Sequence, residues 1–403
     1  MIGASVSTYR VILVTFLCGI ILLLPYNPAV SAEPNSYWPT ESWQYSTPEI
    51  QNMNSTMLET VDELMENYSC GVRSFLVVRN DYIVHETYYS PYYTENHTQY
   101  LYSSTKGIVS LLVGLAIFQG YIDNVSQKVV DFFPDRTIEN LDSLKEEITL
   151  EHLLTMTSGL EWDEANYTTF NDMFEMRETD DWIQYILDRP MVAEPGSIFN
   201  YNSGCSHLLA GIINATTGMT PLEFAEEHLF SPLGIERYGW LGDSQGLSYG
   251  GSDLVLTPRG MAKIGMLYLK GGIWDGQRIV STEWIDQSVT PHTHDDNRTQ
   301  YGWQREYYGY QWWVHSSSGF YATQGREGQH IYVIPEHDII IAFTGHVTDT
   351  EYPFSFDDMV RDYVLAAVIP VTIGEPQTFP FTAILAAGVG SILIVGVVFK
   401  KKQ

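Results

Sequence analysis

Tyr102-Ser103-Ser104-Thr105-Lys106-Gly107-Ile108-Val109-Ser110-Leu111-Leu112-Val113-Gly114-Leu115-Ala116-Ile117-Phe118-Gln119 is the stretch on which the reading of this chain turns. From Gly107 to Gln119 it is almost continuously apolar and free of proline, the pattern of a helix buried on most of its sides. Ser103 to Lys106 would form the first turn of that helix. A serine and a lysine three positions apart share one helical face, where a neutral amine can take the serine proton. Alone, Ser-x-x-Lys is a weak signal. Five lysines precede the terminal cluster (Lys106, Lys128, Lys145, Lys263 and Lys270), and only Lys106 has a serine three residues earlier. A charge opening an otherwise apolar helix also needs a reason, because a buried ammonium without partners is costly.

Outward from this helix, the chain alternates sheet and helix signals. Thr47-Pro48-Glu49 reads as a helix start, with the helix running to about Tyr68. Val72 to Arg79 and Tyr82 to Tyr89 read as two strands joined at Asn80-Asp81. From about Leu141 to Trp240 helical periodicity dominates (Leu150 to Met156, Asp181 to Leu187, Ser206 to Thr217, Pro221 to Leu229), suggesting an all-helical lobe. A further helix follows Thr257-Pro258 and stops at Gly271-Gly272. Strand-like runs then cover Tyr307 to Val314, Phe320 to Gln324, His330 to Ile334 and Ile339 to Thr344, and Phe356 to Ala367 closes as a helix. The expected fold class is α/β: an antiparallel sheet flanked by N- and C-terminal helices, with an inserted all-α domain over about 108–245. A cleft between two such lobes is a common place for an active site.

Two other segments carry chemistry-bearing residues. Tyr201-Asn202-Ser203 follows Glu194-Pro195-Gly196 and precedes a helix containing His207. A tyrosine hydroxyl near Lys106 could shuttle a proton, although Tyr201 taken singly is one of 27 tyrosines and reads as a packing residue. Gly325-Arg326-Glu327-Gly328-Gln329 stands at a strand entry, where glycines let the backbone approach a substrate and the Gln329 amide could join the Ser103 amide as an oxyanion hole. A simple turn is the plainer reading. His292-Thr293-His294-Asp295-Asp296 holds metal-capable side chains but reads as a polar loop, and His207 reads as packed. Tyr308, Tyr310 and Trp312 alternate along the expected strand Tyr307 to Val314, one face of it core.

In their order, Ser103-Ser104-Thr105-Lys106, Tyr201-Asn202-Ser203 and Arg326-Glu327-Gly328 resemble the three motifs of the serine β-lactamase and penicillin-binding-protein superfamily, in its class C β-lactamase-related branch. His152 to Leu160 and Pro195-Gly196 fit the same pattern, and the resemblance spans roughly 47–367. The Ser-Gly-x-Ser-His-Leu-Leu continuation and the Gly-x-x-Gly-Gln motif look most like hydrolases related to the 6-aminohexanoate oligomer hydrolases and esterases. The resemblance implies a β-lactamase/transpeptidase-like fold and a serine hydrolase without cofactor or metal. In it Ser103 is the nucleophile, Lys106 and Tyr201 move its proton, the Ser103 and Gln329 amides hold the oxyanion, and Ser203, Arg326, Glu327 and Gly328 meet the substrate. Ser203 stands where asparagine is common, and Glu327 brings negative charge beside Arg326. Both favour a neutral or cationic ester, amide or D-amino-acid peptide over a β-lactam, which carries a carboxylate. The alternatives are a catalytically silent scaffold of the same fold, and a β-lactamase or D,D-peptidase.

The rest of the chain speaks to compartment. Arg10, the apolar run Val11 to Leu24 and Ala29-Val30-Ser31-Ala32 read as a signal peptide, 1–32, ahead of a hydrolase domain over 33–369. Pro370, Pro376 and Pro380 mark a stalk, 370–380. Phe381 to Phe399 is apolar and uncharged with Lys400-Lys401-Lys402 behind it, a single transmembrane helix over 381–399 with a cytoplasmic tail at 400–403. These features predict a cell-membrane protein with its catalytic domain outside. Seven Asn-x-Ser/Thr sequons (Asn54, Asn67, Asn96, Asn124, Asn166, Asn214, Asn297) agree with export. Whether Cys70 and Cys205 pair is open. The net charge of −28 excludes nucleic acid as a partner, leaving a small-molecule or peptide substrate, and the membrane through the C-terminal helix.

Overall fold

The computed structural model describes residues 37–67, 71–91, 93–164, 170–294, 307–347 and 355–369. The expected signal peptide, stalk and transmembrane helix lie outside the described residues, as do Cys70, Asn166, Asn297, Asp295 and Asp296. Among the described residues no helix is long and apolar enough to cross a membrane.

Seven strands form one antiparallel sheet: β1 (Val72–Arg79), β2 (Tyr82–Tyr88), β3 (Tyr307–Tyr308), β4 (Trp313–His315), β5 (Phe320–Gly325), β6 (Gln329–Ile334) and β7 (Ile339–Gly345), in the order β2-β1-β7-β6-β5-β4-β3. The β1–β2 hairpin turns at Asn80 and Asp81, with φ of 48° and 72°. Two successive positive φ values suit the right-handed twist of a hairpin, and Asn and Asp tolerate them. Strand β7 pairs with β1 on one side, Leu76 opposite Ala342, and with β6 on the other, Ile331 opposite Ala342.

Both faces of this sheet are covered, so its central strands are apolar throughout rather than alternating. Ile339, Ile341 and Phe343 of β7 face a core built with Leu58, Val61 and Met65 of helix α1 (Ser55–Asn67) and with Phe356, Val360 and Val364 near the C-terminal end. Ile340 and Ala342 face the opposite way, into a core shared with the helical insert. Helix α2 (Thr105–Phe118), helix α3 (Ser203–Thr217) and helix α4 (Pro258–Leu269) belong to that second core. A side chain on Gly265 of α4 would come within 2.6 Å of the Ile340 side chain, so α4 lies directly on the sheet. Every residue of α2 from Thr105 to Ala116 is buried, as its uniform apolarity requires.

Three expectations needed correction. Thr47-Pro48-Glu49 starts only a 3-10 turn, Glu49–Gln51. The left-handed Asn52 (φ 56°) ends it, and α1 begins at Ser55, where the Asn54 side chain accepts the Thr56 amide at 3.0 Å. Tyr307 to Val314 is not one strand. Gln311 takes φ 64°, separating β3 from β4, and its side-chain amide donates to the Leu153 and Leu154 carbonyls at 3.1 and 2.9 Å. The expected alternation is thereby lost, and Tyr308, Tyr310, Trp312 and Trp313 are all buried. The insert is also not all-helical, because Tyr238–Trp240 pairs with Leu254–Leu256, which pairs in turn with Gln99–Tyr100. That small sheet delivers the chain to Ser103.

Candidate active site

Ser103 sits in a 3-10 turn, Tyr102–Ser104, immediately before α2. Tyr102 holds φ at 45°, an uncommon left-handed conformation for a bulky residue and a local departure from an ordinary helix start. The turn is pinned to the sheet by the Ser104 hydroxyl, which donates to the Gln329 carbonyl at 2.6 Å. Gly325 makes this approach possible, since a Cβ there would collide with the Leu101 carbonyl and lie 3.1 Å from the Ser104 nitrogen. The start of β6, with Gln329, therefore lies beside the Ser103 turn. The Gln329 side chain turns inward, its amide donating to the Gly345 carbonyl at 2.7 Å.

Lys106, the second residue of α2, is 1% exposed. Its Nζ donates to Ser103 Oγ at 3.0 Å and to the Gly251 carbonyl at 2.8 Å, and it lies 4.9 Å from the centre of the Tyr201 ring. All three partners are uncharged. The Tyr201 ring stacks on Trp313 of β4, with an interplanar angle of 18°, and meets Tyr308 edge-on. Ser103, Lys106 and Tyr201, far apart in sequence, thus converge where the first turn of α2 meets the entrance of α3.

That entrance corrects one expectation. Asn202 caps α3, its side-chain oxygen accepting the Cys205 amide at 3.0 Å. Ser203 is 1% exposed and faces the protein rather than a substrate. Its hydroxyl donates to Glu164 Oε1 at 2.5 Å and its amide to Glu164 Oε2 at 2.7 Å, while Trp162 Nε1 donates to the same Oε2 at 2.8 Å. A buried carboxylate with three donors is well satisfied, and it fixes the chain two residues past Tyr201. Glu164 was not legible in the sequence, because nothing in Trp162-Asp163-Glu164 marks one acid as buried. Cys205, next along α3, is a free buried thiol beside Ser158, pushed up to about 12 by burial.

At the strand entry the residues diverge. Arg326 is exposed. Glu327 takes φ 64°, and its carboxylate meets His346 Nδ1 at 2.5 Å. The Tyr102 phenol is raised by burial and then by the Glu327 carboxylate beside it, so this acid is already engaged at the rim. Gly328 (φ 90°) is buried, and a Cβ there would lie 2.7 Å from the Phe356 ring. Of the residues expected to meet a substrate here, only Arg326 keeps an exposed side chain. The His292 ring stacks on Tyr310 at 4.4 Å and its Nε2 pairs with the Gln287 carbonyl at 2.9 Å, as a packed loop residue does. No group of three or more His, Cys, Asp or Glu side chains that could hold a metal occurs among the described residues.

A family model described as Beta-lactamase matches residues 57–368. The chain belongs to the β-lactamase family. A curated relative, the 6-aminohexanoate-dimer hydrolase of Paenarthrobacter ureafaciens, is 25% identical over 303 residues, covering 71% of this chain and 75% of the relative. Among solved structures, the octameric penicillin-binding protein homologue from Pyrococcus abyssi is similar at a TM-score of 0.60 and 20% identity, covering 77% of each chain. A family VIII carboxylesterase is similar at a TM-score of 0.61 and 15% identity, covering 80% of this chain and 98% of its own. At those identities the two structures show the shared fold alone. The β-lactamase/transpeptidase-like fold expected from the three motifs is the one observed.

Proposed function

We propose that this protein is a serine hydrolase that cleaves an ester, amide or D-amino-acid peptide through an acyl-enzyme on Ser103. The β-lactamase family and its hydrolase members support serine hydrolase activity at large. The observation that carries the assignment to Ser103 is the contact of Lys106 Nζ with Ser103 Oγ at 3.0 Å, in a setting where the lysine's other partners are a carbonyl and an aromatic ring. An ammonium only donates, but a neutral amine keeps one lone pair and can accept the serine proton along the same contact.

In the proposed cycle Ser103 Oγ attacks the substrate carbonyl carbon while its proton passes to Lys106 and Tyr201. The Ser103 and Gln329 amides hold the oxyanion. The tetrahedral adduct collapses, the leaving group departs with the transferred proton, and the acyl group stays on Ser103. Water then attacks the acyl carbon, giving its proton to the Lys106–Tyr201 pair, and Ser103 is reprotonated as the acid is released.

The substrate reading favours neutral or cationic carbonyl compounds. Arg326 is the one exposed cation among the expected substrate contacts, and Glu327 stands next to it already bound to His346. The Glu327 carboxylate beside Arg326 offsets part of the positive charge at this rim, which weakens a grip on a β-lactam carboxylate and argues against β-lactamase or D,D-peptidase activity. The test is a panel of p-nitrophenyl esters, anilides and a chromogenic cephalosporin on purified protein. Ester turnover exceeding cephalosporin turnover supports the reading, and rapid cephalosporin hydrolysis would overturn the substrate class.

The same proposal includes a compartment. The run Val11 to Leu24 ahead of Ala29-Val30-Ser31-Ala32, and the apolar segment 381–399 ahead of Lys400, support export and single-pass anchoring with the catalytic domain outside. Asn54, Asn96, Asn124 and Asn214 have exposed side chains, as glycan acceptors need. Protease protection of the domain in sealed cells tests the orientation, and its digestion from the cytoplasmic side alone would refute it.

A further inference from the structure

Lys106 Nζ donates to a carbonyl that belongs to a loop, and that loop has an unusual anchor. Tyr249-Gly250-Gly251 runs against the first turns of α3. A Cβ on Gly250 would collide with the Ser206 carbonyl, and one on Gly251 would lie 2.7 Å from the Tyr249 hydroxyl and 2.9 Å from Ser203 Cβ. The glycines therefore fix how close the loop lies without fixing which way its peptides face. Two side chains do that: Trp240 Nε1 donates to the Tyr249 and Ser252 carbonyls at 2.9 and 3.1 Å, and His207 holds the Gly250 N–H. His207 of α3 is 0% exposed, and its Nδ1 accepts the Gly250 amide at 3.3 Å.

An Nδ1 that accepts must be unprotonated, so the proton of the neutral ring sits on Nε2, which lies 3.4 Å from Asp243 Oδ2. The Asp243 side chain is itself 3% exposed, and its Oδ1 accepts the Gln245 and Leu247 amides at 2.9 Å each. The order of contacts is Asp243, His207, Gly250-Gly251, Lys106, Ser103. His207, Gly250 and Gly251 are all buried.

We propose that His207 is a positioning residue: its neutral imidazole, by accepting the Gly250 amide, holds the Gly251 carbonyl on Lys106, and its protonation on acidification releases that carbonyl and disarms Ser103. This rests on the reading of Lys106 as the proton carrier. A protonated ring presents a donor where the Gly250 N–H already points, so the two repel and the peptide must move. The groups facing His207 are Asp243, Asp181 at the cap of Trp182–Leu187, Arg177, and the rings of Trp182 and Tyr249. Burial pushes the imidazole below its ordinary value of 6.5, with Asp243 opposing and Arg177 assisting. Asp243 is lowered although burial raises it, because the His207 imidazole stands beside it and the Leu247 amide hydrogen-bonds to it. The sign follows. Above 6.5 the ring is neutral folded and unfolded, and its contribution is complete. As pH falls below 6.5 the unfolded chain gains a proton that the folded one resists, so stability declines first, and activity declines only at the lower pH where the folded ring itself takes the proton.

The experiment compares pH–rate profiles of kcat for a p-nitrophenyl ester in wild type, His207→Asn and His207→Leu, with Ser103→Ala as the blank. Asn places an amide oxygen near the Nδ1 position and does not titrate, whereas Leu removes the acceptor. The expected result is about a tenfold loss of kcat in His207→Leu at pH 8 with KM little changed. His207→Asn should recover most of that loss and show the acid limb of wild type displaced to lower pH. A wild-type rate in His207→Leu, or an unmoved acid limb in His207→Asn, would overturn the proposal. Where neither variant folds, ¹⁵N-histidine NMR of the wild type decides. An Nε2–H tautomer whose protonation coincides with loss of activity supports the inference, and an Nδ1–H tautomer or protonation without loss of activity refutes it. Wild-type turnover no greater than that of Ser103→Ala at every pH would instead sink the hydrolase reading, leaving the tautomer result to judge the His207 contact.

Discussion

Among the described residues three lysines are buried, and the comparison between them sets one apart from the other two. Lys106 is 1% exposed, Lys145 2% and Lys263 6%. Lys263 Nζ donates to the Thr40 and Gly234 carbonyls at 3.1 and 2.6 Å, and Lys145 Nζ to the Glu139 and Leu187 carbonyls at 2.7 and 2.8 Å. Each of these two staples distant loops to one another through acceptors that cannot react. Lys106 has one carbonyl partner as well, but its second partner is a hydroxyl. Burial alone therefore does not set Lys106 apart from the other two; its hydroxyl partner does, and that partner is what the proposed proton path requires.

The comparison breaks most visibly at Lys106. Lys106→Ala should lower ester turnover by about ten-thousandfold while the protein still melts within a few degrees of wild type, measured by steady-state kinetics beside calorimetry. Next in size is Tyr201→Phe, which keeps the ring beside the ammonium and deletes the hydroxyl. A fall of about a hundredfold in kcat is expected, and an unchanged kcat would remove Tyr201 from the proton path. Lys263→Ala should do the reverse of Lys106→Ala. It leaves two carbonyls without their donor and is expected to cost about 1–2 kcal/mol in urea unfolding, with kcat within twofold of wild type. Loss of activity there without loss of stability would erase the distinction.

The smallest effect is a slope. Burial lowers Lys263 from 10.5 to about 8. Below 8 the residue is charged folded and unfolded, and above 10.5 it is neutral in both. Between them the unfolded chain binds more protons, so stability rises with pH, by at most about 1.4 kcal/mol per unit for one group. Unfolding curves from pH 8 to 10.5 should carry this slope in wild type and lose it in Lys263→Ala.

Much of the architecture was legible because the local signals were strong. Asn80-Asp81 between two apolar runs announced a hairpin, and Phe320 to Gln324, His330 to Ile334 and Ile339 to Thr344 fall within three adjacent strands of the sheet. The departures arise where tertiary contacts outweigh local pattern. Thr47-Pro48-Glu49 has good helix-start chemistry, yet Asn52 reverses the chain before a second turn forms. Tyr307 to Val314 alternates as a strand should, but Gln311 finds two carbonyls of Leu153 and Leu154 and breaks the ladder.

At the site, Ser103, Lys106 and Tyr201 could be named together because the order of their motifs resembles that of the family, and the structure brings the three together. The supports were not. Glu164, Gly251, Trp313 and the His207–Asp243 pair act through long-range contacts that leave no periodic trace in the sequence. Ser203 and Glu327 had the right positions for substrate contact, but each found a nearer partner in Glu164 and His346. A motif fixes where the backbone goes more firmly than where each side chain points.

The central claim is that Ser103 is a nucleophile armed by Lys106. The direct measurement is peptide mass spectrometry of the purified protein after a fluorophosphonate probe, alongside Ser103→Ala and Lys106→Ala. The account predicts one phosphonate adduct on the peptide containing Ser103 in wild type, none in Ser103→Ala, and labelling slowed by orders of magnitude in Lys106→Ala. Folded wild-type protein that takes no label on Ser103, or takes it equally fast without Lys106, would contradict it.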